Sequence, residues 1–161
     1  MRLTDLLSPA RVGIRRPRDG ETFEKDQALA VLARMFGDRD GLSSSDIHRV
    51  LLDREDLQST GIGEGVAIPH ASHPLLKEQI AALLIVPEGV EFQAIDDEKV
   101  SILFGVIGPR RATGEHLKTL ARVSRLLRSK EFRQRLIASD DPQSVFDLIG
   151  QAEAEPSKAG S

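Results

Sequence analysis

Two apolar stretches constrain the fold more than any other part of this chain. Residues 79–86 are almost wholly apolar from Ile80 onward and close on Pro87-Glu88-Gly89; residues 100–107 form a second such run, closed by Gly108-Pro109. Short apolar runs bounded by turn residues read as strands. With no alternating polar face, they suit strands covered on both sides, in the interior of an α/β sheet. Helical periodicity surrounds them. Residues 26–36 place Ala28, Leu29, Leu32, Met35 and Phe36 on one face, and Gly37 stops the helix. A second helix starts in Ser43-Ser44-Ser45, where Ser43 and Asp46 have capping-box spacing and Ile47, Val50 and Leu51 follow on one side. Three more helices are expected over about 115–128, 130–138 and 142–149, and shorter strands near 65–68 and 91–94. The expected fold class is therefore α/β, a sheet sandwiched by helices.

The length of 161 residues fits one domain, taken here as residues 1–150, followed by a small, polar, aperiodic stretch at 151–161 that reads as a disordered tail. There is no internal repeat. Hydrophobic residues at 40% suffice for a core, and a net charge of -3 gives no electrostatic reason to expect nucleic acid. No apolar run is long enough to cross a bilayer, and the first twenty residues lack a signal-peptide core, so a cytoplasmic location is the expectation. The absence of cysteine removes disulfides, thiolate metal sites and a cysteine nucleophile. Arg11, Arg15, Arg16 and Arg18 cluster around Pro17 and read as a solvated N-terminal segment, with docking of an acidic partner as the alternative.

The chemistry concentrates in Ser59-Thr60-Gly61-Ile62-Gly63-Glu64-Gly65-Val66-Ala67-Ile68-Pro69-His70. Glycines at every second position let backbone amides approach an anion without Cβ interference, which makes Gly61, Gly63 and Gly65, with Thr60, candidate phosphate-loop residues. The order is G-x-G-x-G, it precedes an apolar run instead of following a strand, and no Gly-Lys-Ser/Thr is present, so nucleotide binding is rejected. Pro69 fixes its own φ and biases Ile68 toward extended geometry, presenting His70 in a set direction. An imidazole with pKa about 6.5 is largely neutral at pH 7 and is a competent nucleophile toward phosphorus. The bland alternative is a histidine that closes a strand by hydrogen bonding.

Two further residues join it. Thr113 is placed as an N-cap with His116 at the third helical position, where the positive end of the helix disfavours protonation of the ring. His116 stands at helical spacing from Leu120 and Val123, beside a stripe of Leu117, Leu120, Ser124 and Leu127, and is expected to face the fold. Arg54 lies four and seven residues beyond Val50 and Ile47, where a guanidinium can grip phosphate oxygens or a partner's carboxylate. Structural hydrogen bonding for His116 and ordinary helix C-terminal placement for Arg54 are the alternatives.

These residues closely resemble the fructose/mannitol-type enzyme IIA domains of the phosphoenolpyruvate-dependent phosphotransferase system. The match includes residues 59–70, Arg54 upstream, and His116-Leu117 with Leu120-Ala121 downstream, over roughly residues 5–149. The resemblance implies a single-domain mixed β-sheet flanked by helices on both faces. It implies that His70 accepts a phosphoryl group from a histidine-containing phosphocarrier protein, through Nε2. It further implies that His116 stabilises the phosphohistidine and that Arg54 helps at the transfer interface, with no cofactor and no metal required. The stand-alone size resembles the nitrogen-type regulatory branch, which reports its phosphorylation state to a separate target protein. The alternative is a sugar-specific enzyme IIA that donates to the cysteine of a separate enzyme IIB.

Two rivals belong to other classes. His70 and His73 have H-x-x-H spacing, and His116 is available as a third metal ligand, but no helical H-E-x-x-H frame is present. A phosphorylation-independent interaction module of the same fold is the other. His48 and His73 read as surface residues.

Overall fold

The computed structural model describes residues 2–155. Its centre is an antiparallel pair made by the two apolar runs, Ile80–Val90 and Val100–Pro109, in register Leu83↔Phe104 and Leu84↔Leu103. Numbered in chain order, the strands are β1 (Val12–Ile14), β2 (Gly61–Gly63), β3 (Val66–Ala67), β4 (His70–His73), β5 (Ile80–Val90) and β6 (Val100–Pro109). The sheet order is β1-β5-β6-β3-β2, with β4 also paired to β6. Strand β1 runs parallel to β5, and β3 and β4 run parallel to β6; β5–β6 and β2–β3 are antiparallel. The mixed sheet expected from the resemblance is present.

Helices α1 (Leu3–Leu6), α2 (Lys25–Phe36), α3 (Ser44–Leu57), α4 (Thr113–Leu126), α5 (Lys130–Ile137) and α6 (Pro142–Ala154) cover both faces. Alternation along β5 shows why the central strands are apolar on both sides. Ala82, Leu84 and Val86 enter one core with Leu29, Leu32 and Phe36 of α2 and Ile47 and Leu51 of α3. Ala81, Leu83 and Ile85 enter a second core with Leu3 of α1, Val123 of α4, Leu136 of α5 and Val145 and Ile149 of α6. Each residue added to such a strand buries apolar area in one layer or the other, at about 25 cal/mol per Å². Local signals close the helices. Gly37 takes φ 73° at the end of α2, and Ser43 and Asp46 bond reciprocally across the first turn of α3.

Several expectations are corrected. Residues 91–94 form no strand, although Phe92 and Ala94 are buried. Gln93 adopts φ 54°, a left-handed conformation that a continuous strand does not hold, and the carbonyl of Phe92 accepts from the Ser59 hydroxyl at 2.9 Å instead of from a strand ladder. Helix α4 is capped by Ala112, so Thr113 is its first helical residue and His116 its fourth; the Thr113 hydroxyl donates to the Arg110 carbonyl. The tail boundary also moves. Helix α6 continues through Ala154, because the Glu153 carboxylate accepts the backbone N–H groups of Leu3 (2.7 Å) and Thr4 (3.0 Å) at the open start of α1. The rest of the expected tail, from residue 156, lies outside the described residues.

The N-terminal arginines are not uniformly solvated. Arg11 reaches inward to the carbonyls of Ala81 and Leu6, and Arg15 pairs with Glu21 and lies over the Phe23 ring; Arg16 and Arg18 are exposed. Among the described residues, no helix is long and apolar enough to cross a membrane.

Candidate functional site

His70 stands at a break in the sheet. Strand β3 pairs with β6 at Ile102 and Leu103, and β4 pairs further along the same edge, beginning at His70↔Val106. Ile68 and Pro69 fall between the two. The Val106 N–H donates to the Pro69 carbonyl (2.9 Å) and the Ile68 N–H to the Thr60 carbonyl (3.0 Å), so the break is held at both ends. That leaves the Ile68 carbonyl facing the imidazole, with Nδ1 of His70 2.7 Å from its oxygen. A carbonyl oxygen only accepts, so Nδ1 carries the proton and the neutral ring keeps its lone pair on Nε2. Burial lowers the His70 pKa and the Arg54 charge lowers it further, against upward pulls from the Ile68 carbonyl and Glu55. The net direction favours the neutral ring.

His116, in the first turn of α4, brings its ring centroid to 5.6 Å from that of His70 at 54° between planes. Its Nδ1 is buried with no hydrogen-bond partner among the described residues. Burial, then the neighbouring His70, lowers its pKa, so two neutral imidazoles face each other. The expected apolar stripe holds in part: Leu127 is buried and Leu120 packs against the second core, whereas Leu117 is 61% exposed. Thr119 and Val123, three and seven residues beyond His116, are buried on its face of the helix.

Arg54 ends α3 half-buried, with Nη1 donating to the Gln58 carbonyl at 2.9 Å, and its charge reaches His70. Its neighbour Glu55 was not expected. Only 2% of the Glu55 side chain is exposed, and its carboxylate accepts from the Thr60 N–H (3.0 Å), the Thr60 hydroxyl (2.5 Å) and the Lys25 ammonium (2.9 Å). The spacing Ile47, Leu51, Glu55 puts an acid on the buried face of α3, and that acid was the available signal. Thr60, a candidate phosphate-loop residue in the sequence, directs its one hydroxyl proton to Glu55.

The glycines build a hairpin between β2 and β3. Gly63, Glu64 and Gly65 turn the chain with φ of 95°, 57° and 80°, joining β2 to β3. Gly61 is required by contact, since a Cβ there would stand 2.8 Å from the Ala94 Cβ. The Gly61 N–H donates to the Ser59 hydroxyl and the Glu64 N–H to Asp96, so these two amides are already used. His73 lies three residues from His70 on β4, hence on the opposite face of the strand, and its Nδ1 accepts the Leu75 N–H. That separates the two rings as ligands. His48 pairs with Asp26 between α3 and α2, away from the sheet break.

A mixed sheet with helices on both faces thus presents a tautomer-fixed histidine beside a second imidazole, an arrangement chemically suited to carrying a phosphoryl group. The family model described as the phosphoenolpyruvate-dependent sugar phosphotransferase system, EIIA 2, matches residues 18–152, and the chain belongs to that family. Phosphotransfer through a phosphohistidine is characteristic of it. Among its relatives is the nitrogen regulatory protein of Bradyrhizobium diazoefficiens, 33% identical over 92% of this chain and 95% of its own length. The fructose-specific EIIABC component of Bacillus subtilis is 28% identical over 94% of this chain but only 23% of its own length. The crystal structure of nitrogen regulatory protein IIA-Ntr from Neisseria meningitidis superposes with a TM-score of 0.82 at 29% identity, covering 91% of this chain and 98% of that one.

Proposed function

We propose that this chain is a cytoplasmic phosphocarrier of the nitrogen-regulatory kind, with Nε2 of His70 as the acceptor atom. The observation that carries the reading is the Nδ1–Ile68 carbonyl contact, which leaves Nε2 with the lone pair. In the transfer, that lone pair forms the new N–P bond as the N–P bond of a histidine phosphocarrier protein breaks, and the released electron pair returns to the donor's imidazole. Transfer of this kind needs positioning and charge stabilisation. An N–H of His116, 5.6 Å away between ring centroids, supplies a hydrogen bond to a phosphoryl oxygen, and Arg54 supplies positive charge. The hairpin of Gly61, Gly63 and Gly65 acts by placing Thr60 and Ile68 and leaves the phosphoryl oxygens to His116 and Arg54.

The regulatory reading is supported by relatives of the nitrogen type that match end to end. The target is then a protein that distinguishes the phosphorylated from the free state. The test is intact mass after incubation with phosphoenolpyruvate, enzyme I and the histidine phosphocarrier. One acid-labile phosphoryl group is expected on the wild type and none on His70→Ala. No gain with an active donor system overturns the reading in favour of an interaction module that works without phosphate.

A further inference from the structure

Behind His70 lies a buried chain of contacts that never touches the reacting nitrogen. Lys25, the first residue of α2, donates to the Glu55 carboxylate at 2.9 Å; it also donates to the Gln93 side chain at 2.9 Å and lies 4.8 Å from the centroid of the Phe92 ring. Glu55 in turn takes the Thr60 N–H and hydroxyl. The Thr60 carbonyl accepts the Ile68 N–H at 3.0 Å, and the Ile68 carbonyl takes Nδ1 of His70 at 2.7 Å. Three links therefore join an ion pair between two helices to the proton that selects the His70 tautomer.

We propose that Glu55, held by Lys25, is a positioning residue for phosphoryl transfer: it anchors Thr60 so that the Ile68 carbonyl stays aimed at Nδ1 and the lone pair stays on Nε2. The mechanics follow from the bonds. Pro69 has no N–H, so the segment between β3 and β4 has one backbone donor fewer with which to hold itself. Apart from the Pro69 carbonyl on β6, the bond from Ile68 to Thr60 is what orients the peptide before the proline. Thr60 is 4% exposed, and both its N–H and its hydroxyl end on a single carboxylate. A charged acid is a costly way to fill a core, since an apolar side chain of similar volume often stabilises as much or more. A carboxylate is, however, the one side chain that accepts from two groups of Thr60 and from an ammonium at once. Its charge also reaches the His70 ring, which supports their proximity.

The inference rests on His70 as the phosphoacceptor, yet its first readout needs no donor. Long-range 15N–1H spectra of the neutral His70 ring report the tautomer directly. Wild type is expected almost wholly in the Nδ1–H form. Thr60→Val, which keeps the branched shape and loses the hydroxyl, and Lys25→Met are expected to give a mixture of tautomers, and Thr60→Ser is expected to restore the wild-type ring. Glu55→Gln is a harsher variant, read only if its amide spectrum remains that of a folded chain. Phosphorylation rates should follow, with kcat falling about tenfold to a hundredfold for Thr60→Val at little change in KM, since loss of near-attack geometry acts on the chemical step. A folded Thr60→Val and Lys25→Met with wild-type tautomer and rate overturn the inference. Equal losses in Thr60→Val and Thr60→Ser overturn it too, because the hydroxyl would then not be the link. A wild type that shows the Nδ1–H ring but takes no phosphate instead refutes the functional reading while leaving the positioning intact.

Discussion

The two helical layers meet His70 on different terms. From the α4 side comes a single neutral imidazole, that of His116, whose buried Nδ1 has no partner among the described residues. From the α3 side come charges that are already engaged, Arg54 with the Gln58 carbonyl and Glu55 with Thr60 and Lys25. One side holds hydrogen-bonding capacity in reserve; on the other, Glu55 spends its own on the frame while Arg54 adds positive charge. On the proposed function, the site alternates between a bare ring and a dianionic phosphoryl group and needs both. The frame keeps the nucleophile aimed in either state, and the reserve answers charge that is present in only one.

That contrast is broken most decisively on the reserve side. His116→Ala is expected to lower the phosphorylation rate of His70 by about a hundredfold with the fold intact, the usual scale for removing one donor aimed at developing charge. Single-turnover kinetics against the phosphorylated donor check this, and a loss under twofold would make His116 a packing residue. On the frame side the largest expected effect is on stability. Gly61→Ala puts a Cβ 2.8 Å from the Ala94 Cβ and 2.9 Å from its Cα, and overpacking of that kind costs about 1–3 kcal/mol. Urea melts should show it as a lower midpoint at unchanged slope.

A smaller effect separates Arg54 from its neighbour. Arg54→Gln is expected to slow phosphorylation about tenfold, at a melting temperature close to wild type, because a half-buried cation supplies charge more than support. It should also let the His70 pKa rise, since Arg54 holds it down, and ring-proton titration by NMR reads that shift. The smallest effect is on pH. Both imidazoles titrate below the ordinary value of about 6.5 in the folded chain, led in each by burial, so at lower pH the unfolded state binds more protons. Stability is therefore full above about pH 6.5 and declines as pH falls through and below that value. Thermal melts at pH 7.5 and 5.5 should show the decline, and His116→Gln, which cannot take up a proton, should lessen it.

Legibility in the sequence followed the strength of the local signal. The apolar runs that became β5 and β6 and the caps of α2 and α3 are readable because each is a contiguous pattern with a physical stop. Strand β1 has three residues and helix α1 four, too short for any periodicity, and both exist because the sheet edge and Glu153 wait for them. Residues 91–94 failed in the opposite way. Phe92 and Ala94 are buried, but burial does not supply a strand partner, and the left-handed Gln93 turns the backbone away.

The placement of His116 and Arg54 beside His70 entered only through the family resemblance, whereas the sequence by itself determined the α/β layering and the presentation of His70 behind a proline. Layering and presentation are matters of period and spacing within single elements. Only the tertiary structure decided which imidazole nitrogen is free, that the Thr60 hydroxyl is bonded to a carboxylate, that the glycines make a hairpin, and that Glu55 and Lys25 lie in one bonded chain behind His70. Each of those depends on hydrogen bonds or close contacts between groups brought together by folding, from Lys25 to Gln93 and from Gly61 to Ala94. A one-dimensional pattern records which donors and acceptors a chain owns; packing alone assigns each to its partner.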